Sequence, residues 1–218
     1  ALGCKRALVS DEWFDAFNRD NVRLVPGAVD SLTATGARVG DEEIPLDVLI
    51  WCTGFAVDEP LGNVDVVGLG GRQLSDVWAR RPSAHLGTTV PGFPNAFLIL
   101  GPNTALGHNS VIVMIEAQLR YILQAMAWVR ERPERRWVDV KPEALSAFLE
   151  EIDRKHDTQV WLSGCRSWYL TEAGENFAIW PGSTLGYLWR TRRFDPALHR
   201  SAESSPGTAS SPSPASST

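Results

Sequence analysis

Apolar residues follow two rhythms along this chain. At 48–52 and again at 97–100 they stand in unbroken runs. Small turn residues end each run, Thr53-Gly54 after the first and Gly101-Pro102-Asn103 after the second. Such runs predict strands buried on both faces, as in a parallel sheet covered by helices. Residues 22–25 predict another strand, closed by Pro26-Gly27. Residues 29–39 predict a meander turning at Gly36, and 137–140 a further strand. The second rhythm is helical. Ser10 is a good N-cap for a short helix carrying Trp13, Phe14 and Phe17. A long helix is predicted from about Ser110 to Arg130. Pro142 suits the first turn of another, with Leu145, Phe148, Leu149 and Ile152 on one face. The Trp- and Gly-rich stretch 161–194 predicts irregular structure.

Composition narrows the function. The chain has 218 residues and a formal net charge of −5, with 21 basic and 26 acidic side chains. That balance argues against nucleic acid as a partner, because phosphate binding needs a basic surface. The one basic cluster, RERPERR at 130–136, carries two glutamates and a proline and is read as a solvated helix end. Cys4, Cys52 and Cys165 are far apart and form no CxxC, so reduced thiols in a cytoplasmic protein are expected. The longest apolar stretch, 110–128, contains Glu116, Gln118, Arg120 and Gln124. It suits a buried helix and not a membrane span. No N-terminal signal pattern is present. The tail 201–218 is rich in Ser, Pro and Ala and is expected to be disordered.

The stretch VDVVGLGGRQL at 64–74 imitates the opening of a dinucleotide-binding fold. Gly68 and Gly70 fit G-x-G-x-x-G, but Gln73 stands at the third glycine position and Pro82 cuts off the helix that should follow. It is read as a hairpin turn that holds no pyrophosphate.

Three segments together resemble the class B flavoprotein monooxygenases, and among them the Baeyer–Villiger enzymes. They are GCKR at 3–6, DVLIWCTGF at 47–55, and GFPNAFLILGPNTALGHNSVIVMIEAQLRYI at 92–122; GCRSWY at 164–169 is a weaker fourth. The resemblance covers nearly all of 1–198. It departs at Trp51-Cys52, where the family often has alanine before T-G.

The resemblance implies an α/β fold: the C-terminal part of a flavoprotein with two dinucleotide-binding domains, one for FAD and one for NADP, followed by the disordered tail. Residues 1–55 would be the end of the NADP-binding domain and the return strand. Residues 56–200 would be the C-terminal part of the FAD-binding domain, and 201–218 the tail. Both glycine-rich loops and the F-x-G-x-x-x-H-x-x-x-W fingerprint are absent. The missing N-terminal half of the same polypeptide is therefore an expected partner, and the chain alone is expected to be inactive.

The implied activity uses FAD, NADPH and O2 to insert one oxygen atom into a small-molecule ketone, giving an ester or lactone. Arg6 matches the family's catalytic arginine, a permanent cation beside developing negative oxygen. Lys5 matches a lysine implicated with the 2′-phosphate of NADPH. Thr53, Gly54, Gly101, Pro102 and Asn103 match cofactor-bordering turns. Ser110 and Val111 would offer backbone N–H groups and the helix dipole to the reduced flavin. Trp168 matches a tryptophan bordering the NADP and substrate site. His108 is read as a structural donor. Two alternatives stand beside this: N- or S-oxygenation by the same class of enzyme, and a non-catalytic fragment or interaction module.

Overall fold

The structure, a computed structural model, describes residues 8–54, 61–62, 64–159 and 167–201. The chain divides into two compact units, one spanning Arg6–Ala56 and one built chiefly from Val57–Thr218.

The smaller unit opens with α1 (Trp13–Ala16), where Ser10 Oγ accepts the N–H groups of Glu12 (3.3 Å) and Trp13 (3.2 Å). A three-stranded antiparallel meander follows, β1 (Ser31–Leu32), β2 (Gly36–Val39) and β3 (Glu42–Pro45), in that spatial order. The expected turn at Gly36 is displaced. Gly36 opens β2 and pairs with Pro45, and a Cβ there would lie 2.0 Å from the Ile44 carbonyl oxygen. The glycine thus serves close strand pairing, and Gly40 (φ 58°) takes the second turn.

Two strands expected in this unit do not form. Residues 22–25 and 48–52 carry no ladder, and Val48, Ile50 and Trp51 are 74%, 78% and 60% exposed. A strand buried on both faces exists only with neighbours on both edges and layers above and below. Among the described residues of this unit, nothing supplies them.

The larger unit is built on α3 (Val111–Arg130). Its buried residues Met114, Ala117, Gln118, Tyr121, Ile122 and Ala125 repeat at helical spacing. Ser110, where the helix was expected to begin, caps it, its Oγ accepting the Ile112 N–H at 3.3 Å. α4 (Pro142–His156) starts on its proline and buries Phe148 and Ile152, with Leu145 and Leu149 packed alongside. α5 (Thr184–Thr191) closes the core through Tyr187, whose ring packs edge-on against that of Trp180. This helix lies in the stretch expected to be irregular. It turns Thr184, Tyr187 and Thr191 inward and leaves Leu185 and Trp189 exposed, an inversion that hides its periodicity. A second cluster joins Trp78 and Leu74 of α2 (Leu74–Trp78) to Val90 and Phe93.

The predicted strand at 137–140 shortens to β4 (Asp139–Val140), paired antiparallel with β5 (His199–Arg200). Residues 97–100 form no strand. Leu98 N–H bonds the Thr88 carbonyl (2.8 Å), but Leu100 turns into the left-handed region (φ 54°) and ends the extension. Residues 64–74 do form a hairpin turn, with Val67 bridged to Gln73 and Gly68 N–H on the Arg72 carbonyl. No helix among the described residues is long and apolar enough to cross a membrane. The predicted tail lies outside the described residues, apart from Ser201.

Candidate functional site

The loop that follows residue 100 is shaped by two sets of bonds. On one side it is stitched to 176–180. Asn103 N–H bonds the Phe177 carbonyl (2.8 Å), Ala105 N–H the Ala178 carbonyl (2.9 Å), and Trp180 N–H returns to Ala105 (3.0 Å). Asn103 has a left-handed backbone (φ 58°), and its wholly buried amide donates to the Asn176 carbonyl at 3.0 Å. Asn176 in turn folds its own segment, donating to the Ile179 carbonyl (2.7 Å) and accepting from Ile179 N–H (2.9 Å). The Arg81 guanidinium also donates to the Asn176 carbonyl and is anchored on Asp153.

On the other side the loop presses on residues 86–87. The glycines there face each other. A Cβ on Gly101 would lie 2.4 Å from the Gly87 carbonyl oxygen, and one on Gly87 would lie 2.1 Å from Thr104 Cγ2. Gly101 therefore serves backbone packing within the protein, and the side of the loop away from Gly87 is what remains for a ligand.

That side is an apolar pocket of about 400 Å³. It brings together four of the expected residues, Gly101, Pro102, Val111 and Trp168, with Leu98–Leu100 and Phe177. Trp168 is half exposed, its ring 4.9 Å from that of Tyr169. A basin of about 660 Å³, walled by polar and apolar residues alike, shares Leu61, Trp78 and Pro82 with the pocket. At the start of α3 the Asn109 carboxamide oxygen accepts the Ser110 N–H (2.7 Å) and Ser110 Oγ takes Ile112 N–H. Val111 N–H has no intrahelical acceptor and is the free donor of the expected pair. An apolar slot walled by indole and Pro102, with one backbone donor at a helix start, fits a flat flavin ring edge.

The remaining expected residues divide. Asn103 does not line the pocket; its amide nitrogen is bonded to the Asn176 carbonyl, and its carboxamide oxygen is buried without a partner among the described residues. Thr53 and Gly54 are exposed in the smaller unit. Lys5 and Arg6 lie outside the described residues. His108 is exposed and donates no hydrogen bond among the described residues. Burial, then the charges of His199 and Arg190, holds His85 down to about 3, and burial also lowers His156 and His199. These three are poor proton carriers near neutrality. Gln118 and Asn176 were not singled out from sequence. Gln118 stood in view as the polar residue of a buried helical stripe, whereas Asn176 had no local signal.

No protein-family model matches the chain. A Baeyer–Villiger monooxygenase of Pseudomonas aeruginosa is 39% identical over 201 residues, which is 91% of this chain and 38% of that protein. An FAD-binding monooxygenase of Aspergillus niger is 39% identical over 192 residues, 86% of this chain and 31% of that protein. Among solved structures, an oxidized steroid monooxygenase bound to NADP superposes with a TM-score of 0.76 at 29% identity, covering 88% of this chain and 37% of the other. A closed cyclohexanone monooxygenase shares the fold with a TM-score of 0.79 at 24% identity, covering 92% and 39%. The chain thus spans less than two fifths of the length of each of these proteins, and it corresponds to the C-terminal portion of the structures.

Proposed function

We propose that this chain, a homologue of the Baeyer–Villiger monooxygenases, is the C-terminal part of an FAD- and NADPH-dependent monooxygenase that inserts one oxygen atom of O2 into a small-molecule ketone. One observation carries the reading. Four residues separated by up to 67 positions in sequence, Gly101, Pro102, Val111 and Trp168, line one apolar pocket. That pocket stands beside the start of a long helix. Residues 1–55 would close an NADP-binding domain, and 56–200 would complete an FAD-binding domain whose remaining part is a partner of this chain. Among the described residues, the free and exposed thiol of Cys52 agrees with a reducing, cytoplasmic setting.

When bound, FAD supplies the reductive activation of O2. This chain's residues would hold and surround it. Pro102 and Leu98–Leu100 give a dry wall, which strengthens every electrostatic contact inside. Val111 N–H, at the positive end of α3, would favour negative charge on the ring edge facing it. Trp168 offers an indole face and one N–H donor at the mouth of the pocket. Arg6 would place a guanidinium beside oxygen that gains negative charge, and Lys5 would meet the NADPH phosphate.

The test is made on the full polypeptide. It should carry one FAD, consume NADPH faster when a ketone is added, and yield the ester; Arg6→Ala should keep the flavin and lose the ester. Sulfoxide from a thioether, with no ester from any ketone, would move the assignment to heteroatom oxygenation. Absence of flavin would leave a non-catalytic module.

A further inference from the structure

We infer that Gln118 is the positioning residue of the flavin-facing loop, a two-way clamp that fixes where the 100–104 turn stands. The inference rests on the flavin reading of the adjoining pocket for its purpose, but on bonds within this chain for its geometry.

Gln118 lies in the middle of α3 and is wholly buried. Its two amide atoms do opposite work. The carbonyl oxygen Oε1 accepts the Leu100 N–H at 2.9 Å, and Nε2 donates to the Gly87 carbonyl at 3.0 Å. One rigid, planar group therefore spans the two loops whose glycines are in contact. No other type of side chain offers a donor and an acceptor on one trigonal carbon at this length, apart from a protonated glutamate.

What the clamp holds is unfavourable on its own. Leu86 (φ 52°), Leu100 (φ 54°) and Asn103 (φ 58°) all have left-handed backbones, unusual for leucine above all. Such conformations persist only where the surroundings over-determine them. Leu100 is fixed by Gln118, and Leu86 by the Tyr187 hydroxyl, which donates to its carbonyl at 2.7 Å. Asn103 is fixed by its bonds to Phe177 and Asn176. Leu100, Gly101 and Pro102 line the pocket directly. Releasing Leu100 N–H lets that residue relax toward extended backbone and moves the wall against which the ring would stand.

The amide-to-carboxyl change isolates the clamp. Gln118→Glu keeps size and shape. As a carboxylate it accepts from Leu100 N–H but faces the Gly87 carbonyl with no proton to donate. As a carboxylic acid it regains both bonds, and burial raises the pH at which that happens. Gln118→Met removes both bonds at every pH.

The experiment measures amide exchange at Leu100 together with FAD titration, on the full polypeptide near pH 8 and near pH 5.5. In Gln118→Met, Leu100 should lose about tenfold protection at both pH values, the scale of one net hydrogen bond, whereas in Gln118→Glu the Leu100 N–H keeps its acceptor and only the bond to the Gly87 carbonyl is lost near pH 8 and regained near pH 5.5. FAD affinity should fall near pH 8 in both variants and recover near pH 5.5 in Gln118→Glu alone. Amides of Ile152 and Val140 should not move, which separates positioning from general loosening. Unchanged protection at Leu100 in Gln118→Met overturns the clamp. Lost protection with unchanged FAD affinity overturns its purpose. A wild-type polypeptide that takes no FAD sinks the flavin reading, and the exchange data still decide the clamp.

Discussion

Asp139 shows how a charge survives without water. Its carboxylate is fully buried, accepts the Gly92 N–H at 3.0 Å, and receives two bonds from Arg200, at 3.0 and 2.7 Å. Removing one member of such a pair strands the other. Arg200→Ala should lower the unfolding free energy by about 3 kcal/mol in denaturant titration, because the buried carboxylate loses its counter-charge. Trp168 is the opposite case. It is 52% exposed, so Trp168→Ala should shift stability by less than about 0.5 kcal/mol. A matching loss of FAD or NADPH affinity would mark Trp168 as part of the site; a loss of stability without one would mark it as packing.

Elements obey partners more than propensity. Gly101 and Gly107 belong to one loop, yet a Cβ meets the Gly87 carbonyl oxygen at 2.4 Å in the first and nothing within 4 Å in the second. Gly101→Ala should cost about 2 kcal/mol or more, since two backbones must part. Gly107→Ala should be neutral or slightly stabilising by restricting the unfolded chain. A melting curve for each variant checks both. The same dependence on partners explains what the sequence revealed. Helix α3 was legible to within a residue or so, and α4 in its proline start and apolar face, because such starts and stripes are local. The runs 48–52 and 97–100 were equally apolar but form no ladder, since a strand's partner is never local. α5 escaped notice because it buries Thr184 and Thr191 and exposes Leu185 and Trp189. In the pocket, Gly101, Pro102 and Val111 announced themselves by motif, whereas Gln118 and Asn176 act through bonds that only the folded loop creates.

At the scale of the molecule, the buried histidines set how stability answers to acid. His85 is 3% exposed and held down to about 3, first by burial and then by the nearby charges of His199 and Arg190. The sign follows from comparing the two states. Above its unfolded value of 6.5, His85 is neutral folded and unfolded alike, and its contribution is intact. Below 6.5 the unfolded chain binds a proton that the native core refuses. Stability therefore falls as pH drops, by about 1.4 kcal/mol per pH unit for one such proton, until the native state also protonates near the folded value. His156 and His199 are lowered by burial too and act in the same direction. Glu42, bonded to Arg23, and Glu43, bonded to Thr33, are held below their ordinary value of 4.5, so their loss begins only at lower pH. A denaturant series between about pH 7 and pH 5 thus isolates the histidines. His85→Gln, polar but without a titrating proton, should flatten that slope by one proton's worth. A slope unchanged in the variant would mean that His85 takes up its proton in the native state as readily as in the unfolded one, and the acid sensitivity would then belong to His156 and His199.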